Sequence, residues 1–231
     1  MTPSGPPFRV THLLLDVDGT LVDYGSAVTA AFRAAAERAS SLAGEDIRAE
    51  TIERVRTSVT ADPAWRVRSV TEQRVEAVRR LLLAHGVDDA EAILSVVEAY
   101  ETARDAALTV YPDVSEALAT LAAGGLTLIA ASNGNVGLDR VGIGRHISAT
   151  HYAHEVGAQK PDPRFYALAL ERFGLAPDRV LVVGDRLDND YEPARAAGLH
   201  AVLIDRNDVV TDASVVRIRA LTELPRLIEV D

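Results

Sequence analysis

Val10-Thr11-His12-Leu13-Leu14-Leu15 runs directly into Asp16-Val17-Asp18-Gly19-Thr20. The apolar run, rich in branched residues, reads as a buried strand. Two acids two residues apart at its end point the same way only while the strand continues. A break at Gly19 lets both carboxylates converge on one small volume at the strand's carboxyl end, the edge where open α/β sheets bind ligands. Adjacent carboxylates repel unless a cation or a shared proton compensates, and aspartate oxygens are hard ligands suited to Mg2+. The stretch points to a metal site with a carboxylate free to act as nucleophile. Asp-Gly-Thr alone is ordinary turn chemistry, so the reading needs partners elsewhere in the chain.

Those partners come from later apolar runs. Leu126 to Ala131 ends in Ser132-Asn133-Gly134, Val180 to Val183 ends in Gly184-Asp185 with Asp188 and Asp190 just beyond, and Ala201 to Ile204 ends in Asp205. Helical patterns separate them. Asp113 and Glu116 have capping-box spacing ahead of a Val114, Leu118, Leu121 stripe stopped by Gly124-Gly125. A short helix is expected over 136–143, and 147–156 contains an ambiguous strand. Asp162 caps a helix with Pro163 at its first position and Gly174 past its end, and Tyr191 to Ala197 is a helix stopped by Gly198. Strands alternating with helices imply an α/β fold with a doubly wound parallel sheet.

Residues 26–107 carry helical periodicity and no convincing strand. Val28, Phe32, Ala35, Ala39 and Leu42 form one stripe, Ile93, Val96, Val97 and Tyr100 another, and Thr71 to Ala84 a helix ended by His85-Gly86. An all-helical insert of roughly 80 residues is large enough to be a subdomain.

Composition narrows the function classes. The chain has 231 residues, 48% of them hydrophobic and 25% charged, as in ordinary globular proteins. It lacks cysteine, which excludes disulfides, thiol catalysis and cysteine-ligated zinc. No apolar stretch approaches a membrane span, residues 1–7 lack the apolar core of a signal peptide and read as a loose tail, and the cytoplasm is the default location. A net charge of −10 argues against nucleic acid as partner, while a bound cation can still draw a small anion. Of 24 basic residues, only Lys160 is a lysine. A lone Lys in so Arg-biased a chain marks a place where a compact ammonium is needed, and it sits in a loop just before the helix capped by Asp162.

In a parallel sheet these strand ends share one edge. Together they bring acids for a metal, a hydroxyl and an amide for oxyanion contacts, and one ammonium, a set suited to phosphoryl transfer. At this point the chain resembles the haloacid dehalogenase superfamily. Asp16-Val17-Asp18-Gly19-Thr20 matches its first motif, Ser132-Asn133 its second, Lys160 its third, and Gly184-Asp185 through Asn189-Asp190 its fourth, in the family order. The resemblance implies a Rossmann-like core over residues 8–23 and 108–231. It also implies a first-type helical cap over 24–107, closing on the site and choosing the substrate.

The resemblance further implies roles. Asp16 attacks phosphorus and forms an aspartyl-phosphate. Asp18 protonates the leaving oxygen and then activates water. Asp16, the backbone carbonyl of Asp18, and Asp185 hold Mg2+, with Asp190 orienting the metal shell. Ser132 and Lys160 bind the phosphoryl group, assisted by Asn133 and Thr20. Dehalogenating and phosphonate-cleaving members lack an acid at the position of Asp18, so Asp18 favours phosphate esters, whose alkoxide needs a general acid. The expected partner is a small phosphorylated metabolite; the oligomeric state is not legible.

The alternatives are a sugar phosphomutase of the same superfamily and, from another class, a receiver-like phospho-acceptor. A receiver domain would be about half this length, with its acceptor mid-chain. Among other candidates, Trp65, Arg66 and Arg68 read as a substrate surface or a solvated face, and Arg186 as an ion-pair partner of Asp188. His151 and His154, three apart in a strand or loop, face opposite sides and make a poor zinc pair.

Overall fold

The computed structural model describes residues 5–66 and 68–229, with Arg66 described by its backbone alone. Of the expected tail, Met1 to Ser4 lie outside the described residues. The strands are β1 (Phe8–Arg9), β2 (His12–Leu15), β3 (Thr127–Ser132), β4 (Ala149–Tyr152), β5 (Val180–Gly184), β6 (His200–Ile204), β7 (Arg217–Ile218) and β8 (Ile228–Glu229).

Six strands form one parallel sheet in the order β4-β3-β2-β5-β6-β7, and β1 pairs separately with β8. The opening apolar run thus divides into β1 and β2. Thr11 already exchanges backbone hydrogen bonds with Arg179 and Thr127 before the regular strand begins. β2 lies at the centre. Leu13 sits opposite Leu128 and Leu181, and Leu15 opposite Ala130 and Val183. Leu13, Leu14 and Leu15 are fully buried, as expected of a strand covered on both faces. From β2 the chain winds outward through β3 and β4, then returns to the other side of β2 for β5 to β7. The winding reverses beside β2, and the carboxyl ends at such a reversal are where α/β sheets bind ligands.

The chain divides into two compact units, one holding the residues up to Asp23 and from Val110 on, the other Tyr24–Thr109. The second unit is helical: α1 (Tyr24–Ala43), α2 (Ala49–Ala61), α3 (Pro63–Arg66), α4 (Val70–Ala84) and α5 (Ala90–Ala107). Its core joins Phe32, Ala35 and Ala39 of α1 to Val96, Val97 and Tyr100 of α5 and to Leu81 and Leu82 of α4. The Phe32 and Tyr100 rings meet edge-on at 5.6 Å. Ser69 and Glu72 form a reciprocal capping box at the start of α4, which frees neither end of that turn to unravel. Among the described residues no helix is long and apolar enough to cross a membrane.

The sheet unit carries α6 (Val114–Ala123), α7 (Ala153–Val156), α8 (Pro163–Phe173) and α9 (Glu192–Ala196). The Asp162 carboxylate accepts the Arg164 N–H at 2.9 Å and caps α8. Three local expectations give way. Residues 136–143 form turns, with the Leu138 carbonyl accepting N–H groups from Ile143 and Gly144; Gly137 and Gly142 make so short a helix unfavourable. Asp113 precedes α6 but makes no side-chain cap, because its carboxylate accepts hydrogen bonds from Arg206 and from the Leu221 N–H. The helix expected from Tyr191 begins earlier, with a π-helical turn over Leu187–Tyr191 that leads into α9.

Candidate active site

β2 delivers Asp16 to the sheet edge while still in register, its N–H donating to the Val183 carbonyl at 2.8 Å. The chain then curls. The Val17 carbonyl accepts N–H groups from Thr20, Leu21 and Val22, and the Gly19 N–H donates to the Val22 carbonyl at 2.9 Å. Gly19 sits at φ +90°, a conformation that L side chains rarely adopt. A side chain there would also strike the Asp185 carboxylate. The glycine therefore both makes the turn and lets the carboxylate at the end of β5 approach the loop after β2.

Lys160 closes the site from a third segment. Its Nζ donates to Asp16 Oδ1 at 2.6 Å, to Asp190 Oδ1 at 2.6 Å and to the Ala131 carbonyl at 3.1 Å. These three acceptors match the three protons of an ammonium. The Lys160 side chain is 2% exposed. Burial works against its charge, but the Asp16 and Asp190 carboxylates outweigh burial and hold its pKa above the usual lysine range.

The acids outnumber that single cation. One oxygen each from Asp16, Asp185 and Asp190 lies within 4.8 Å of the others. Burial pushes Asp16 up to about 8, opposed by Lys160 and reinforced by Asp190, Asp18 and Asp185. Burial, then Asp190, pushes Asp185 up to about 6. Hard oxygens in negative excess, buried at Asp16 and Asp190 and half-buried at Asp185, in a cradle that a Cβ at Gly19 would fill, fit a divalent cation such as Mg2+.

Ser132 and Asn133 arrive at the end of β3. Ser132 is buried, and its Oγ accepts the Gly134 N–H at 2.9 Å. Asn133 turns its amide to the peptide of Lys160. Asp18 lies beside Gly134, where any side chain would meet its carboxylate. Thr20 is fully buried and its hydroxyl has no hydrogen-bond partner; the structure does not tie it to Ser132 or Lys160. The π-helical turn brings Asp190 inward. Its Oδ1 reaches Lys160, its Oδ2 accepts the Arg186 N–H at 3.2 Å, and its carbonyl accepts the Tyr166 hydroxyl at 3.2 Å.

The side chains of the remaining candidates have other contacts. Arg186 pairs with Asp188 at 2.8 Å, both exposed. His151 is buried, its Nε2 2.9 Å from the Phe165 carbonyl and its ring edge-on to Phe165. The Trp65 carbonyl accepts the Gln73 amide, and exposed Arg68 faces Glu72; Val67 and the Arg66 side chain lie outside the described residues. Tyr166 carried no sequence signal beyond its place on the buried stripe of α8.

Residues 10–198 match the model of the haloacid dehalogenase-like hydrolases. A ribulose-1,5-bisphosphate 5-phosphatase from Halopiger xanaduensis is 30% identical over 92% of this chain and 92% of its own. A glyceraldehyde 3-phosphate phosphatase from Methanopyrus kandleri is 32% identical over 63% of this chain and 70% of its own. A phosphoserine phosphatase from Thermus thermophilus is 40% identical, but the match spans only 41% of that protein. The fold matches a 2-haloacid dehalogenase from Pseudomonas syringae at a TM-score of 0.80 and 23% identity, over 95% of this chain and 98% of that one. These matches, and the order of Asp16, Ser132, Lys160 and Asp185 around one sheet edge, place the chain among the haloacid dehalogenase-like hydrolases, on their phosphatase branch.

Proposed function

We propose that the protein hydrolyses the phosphate monoester of a small metabolite through an aspartyl-phosphate on Asp16, with Mg2+ as cofactor. The observation that carries the reading is the buried contact of Asp16 Oδ1 with Lys160 Nζ at 2.6 Å, beside the carboxylates of Asp185 and Asp190. A carboxylate held at a strand end next to a fixed ammonium is aimed at an anionic group that the ammonium also attracts.

Asp16 forms a bond to phosphorus as the ester P–O bond breaks, and Asp18 gives its proton to the departing alkoxide. Asp18 then takes a proton from water, which attacks the same phosphorus and releases phosphate and free Asp16. Lys160 and Ser132 bind the phosphoryl oxygens, and Asp190 and Asn133 hold Lys160 in place. Asp16, Asp185 and the Asp18 carbonyl would hold Mg2+, which would supply the positive charge that lets one anion approach another. We assign the choice of substrate to the helical unit.

The test is phosphate release from a panel of phosphomonoesters, with and without Mg2+, by the wild type and Asp16→Asn. Mg2+-dependent release that the folded variant lacks supports the reading. Equal release by the variant, or none by the wild type from any ester, overturns it.

A further inference from the structure

Arg206 lies two residues beyond β6, and its guanidinium joins three segments far apart in the chain. Nη2 donates to the Thr20 carbonyl at 2.8 Å, and Nη1 donates to the Asp113 carboxylate at 2.9 Å. Its Cζ stands 3.8 Å from the centre of the Tyr111 ring. The other oxygen of Asp113 accepts the Leu221 N–H. Arg206 and Asp113 keep only 17% and 15% of their side-chain exposure, so the pair is screened less than an exposed one. The two segments meet directly as well: the Tyr111 N–H donates to the Leu21 carbonyl at 3.1 Å, and Val22 bridges Val110.

Thr20 belongs to the curl that follows Asp18. Its own hydroxyl finds no partner there, so its side chain gives the turn no polar anchor. Thr20 is instead tied from outside by the bond from Arg206 to its carbonyl, charge-assisted and hence stronger than a neutral one. Only a planar fork can stack on Tyr111 while its edges reach both a carbonyl and a carboxylate; a lysine could satisfy one of the three.

We propose that Arg206 is a positioning residue for Asp18, fixing the Asp18-Gly19-Thr20 turn through the Thr20 carbonyl. The inference rests on the phosphatase reading, in which Asp18 passes its proton to the leaving oxygen as the Asp16–phosphorus bond forms. Proton donation matters greatly for an alkoxide and little for nitrophenolate, which leaves as a stable anion. A turn that drifts should therefore slow alkyl esters more than aryl esters.

The experiment compares kcat/KM for p-nitrophenyl phosphate with that for the best primary-alkyl monoester of the panel. The proteins are wild type, Asp18→Asn, Arg206→Gln and Arg206→Lys, each with its melting temperature. Arg206→Gln is expected to lose about 10- to 100-fold on the alkyl ester, the scale of a small misplacement. On the aryl ester the loss is expected to be several times smaller, the same selectivity as Asp18→Asn, with partial recovery in Arg206→Lys. Asp113→Asn, which loosens the guanidinium without removing it, should show the same selectivity at smaller amplitude and serves if Arg206→Gln does not fold. Equal losses on both esters overturn the positioning role while leaving the phosphatase reading intact. A wild type inactive on every ester overturns both.

Discussion

Asn133 grips Lys160 with both ends of its amide. Its Nδ2 donates to the Lys160 carbonyl and its Oδ1 accepts the Lys160 N–H, each at 2.8 Å. The residue next to Ser132 thus spends its side chain on the peptide of the lysine that contacts Asp16. Asn133→Asp keeps the acceptor but loses the donor and adds a fifth acid; Asn133→Ala loses both bonds. Each bond contributes about 1 kcal/mol to stability. The larger effect is on rate: kcat/KM should fall by about 10- to 100-fold in Asn133→Ala as the Nζ drifts. Steady-state kinetics beside a urea melt checks this, and an unchanged kcat/KM would show that Lys160 needs no such grip.

Gly134 leaves room for Asp18. A methyl group at this position lands on the Asp18 carboxylate, while the Gly134 N–H is already committed to Ser132 Oγ. Gly134→Ala should therefore act on catalysis through Asp18, with kcat falling about 100-fold, a general-acid-sized loss, and Tm falling by only a few degrees, as for about 1 kcal/mol in a domain of this size. Kinetics on an alkyl ester and a thermal melt together decide it. Wild-type kcat in Gly134→Ala would mean that Asp18 can move aside without cost.

The side chains that meet at the sheet edge were legible because each announces itself locally. Asp16 and Asp185 end apolar runs, Asp190 follows within one turn, and Lys160 stands alone among arginines. The groups that hold them were not legible, because their partners are distant and often backbone. Asn133 and Lys160 are 27 residues apart, and Arg206 and Thr20 are 186 apart. Asp113 shows the conflict directly. Its spacing to Glu116 offers a local cap, yet Arg206, 93 positions away, takes the carboxylate, since a charged partner outweighs a neutral N–H. The turns at 136–143 fail for the opposite reason: apolar spacing suits a helix, but two glycines weaken one too short to nucleate.

If Asp16, Asp185 and the Asp18 carbonyl hold the cation, Mg2+ should stabilise the folded state by mass action. At 100 times the dissociation constant the gain is about 2.7 kcal/mol. Asp185→Ala should abolish the Mg2+-dependent rise in Tm. Asp188→Ala, three residues on, should keep it, because Asp188 is exposed and paired with Arg186. Thermal melts at a series of Mg2+ concentrations provide the measurement, without reference to activity. A full shift in Asp185→Ala would move the cation away from this trio.

The helical unit should respond to acid through Glu76. This carboxylate is buried in α4, with hydrogen bonds of 2.7 and 2.8 Å from Arg79 and 2.7 Å from Arg80. Hydrogen bonds from Arg79, partly offset by burial and then joined by Arg80, push its pKa down from 4.5 to about 2. A pKa depressed in the folded state means that the unfolded chain takes up the proton first. The contribution is therefore complete above about pH 4.5 and is lost as pH falls towards 2. Because both arginines are partly exposed, screening reduces its size to about 1–2 kcal/mol. Glu76→Gln cannot titrate, so the stability gap between it and the wild type should be full at pH 7 and close between pH 4.5 and 2. Urea melts across that range measure the gap. A difference that stays constant with pH would show that Glu76 stabilises the helices by packing, and not through its charge.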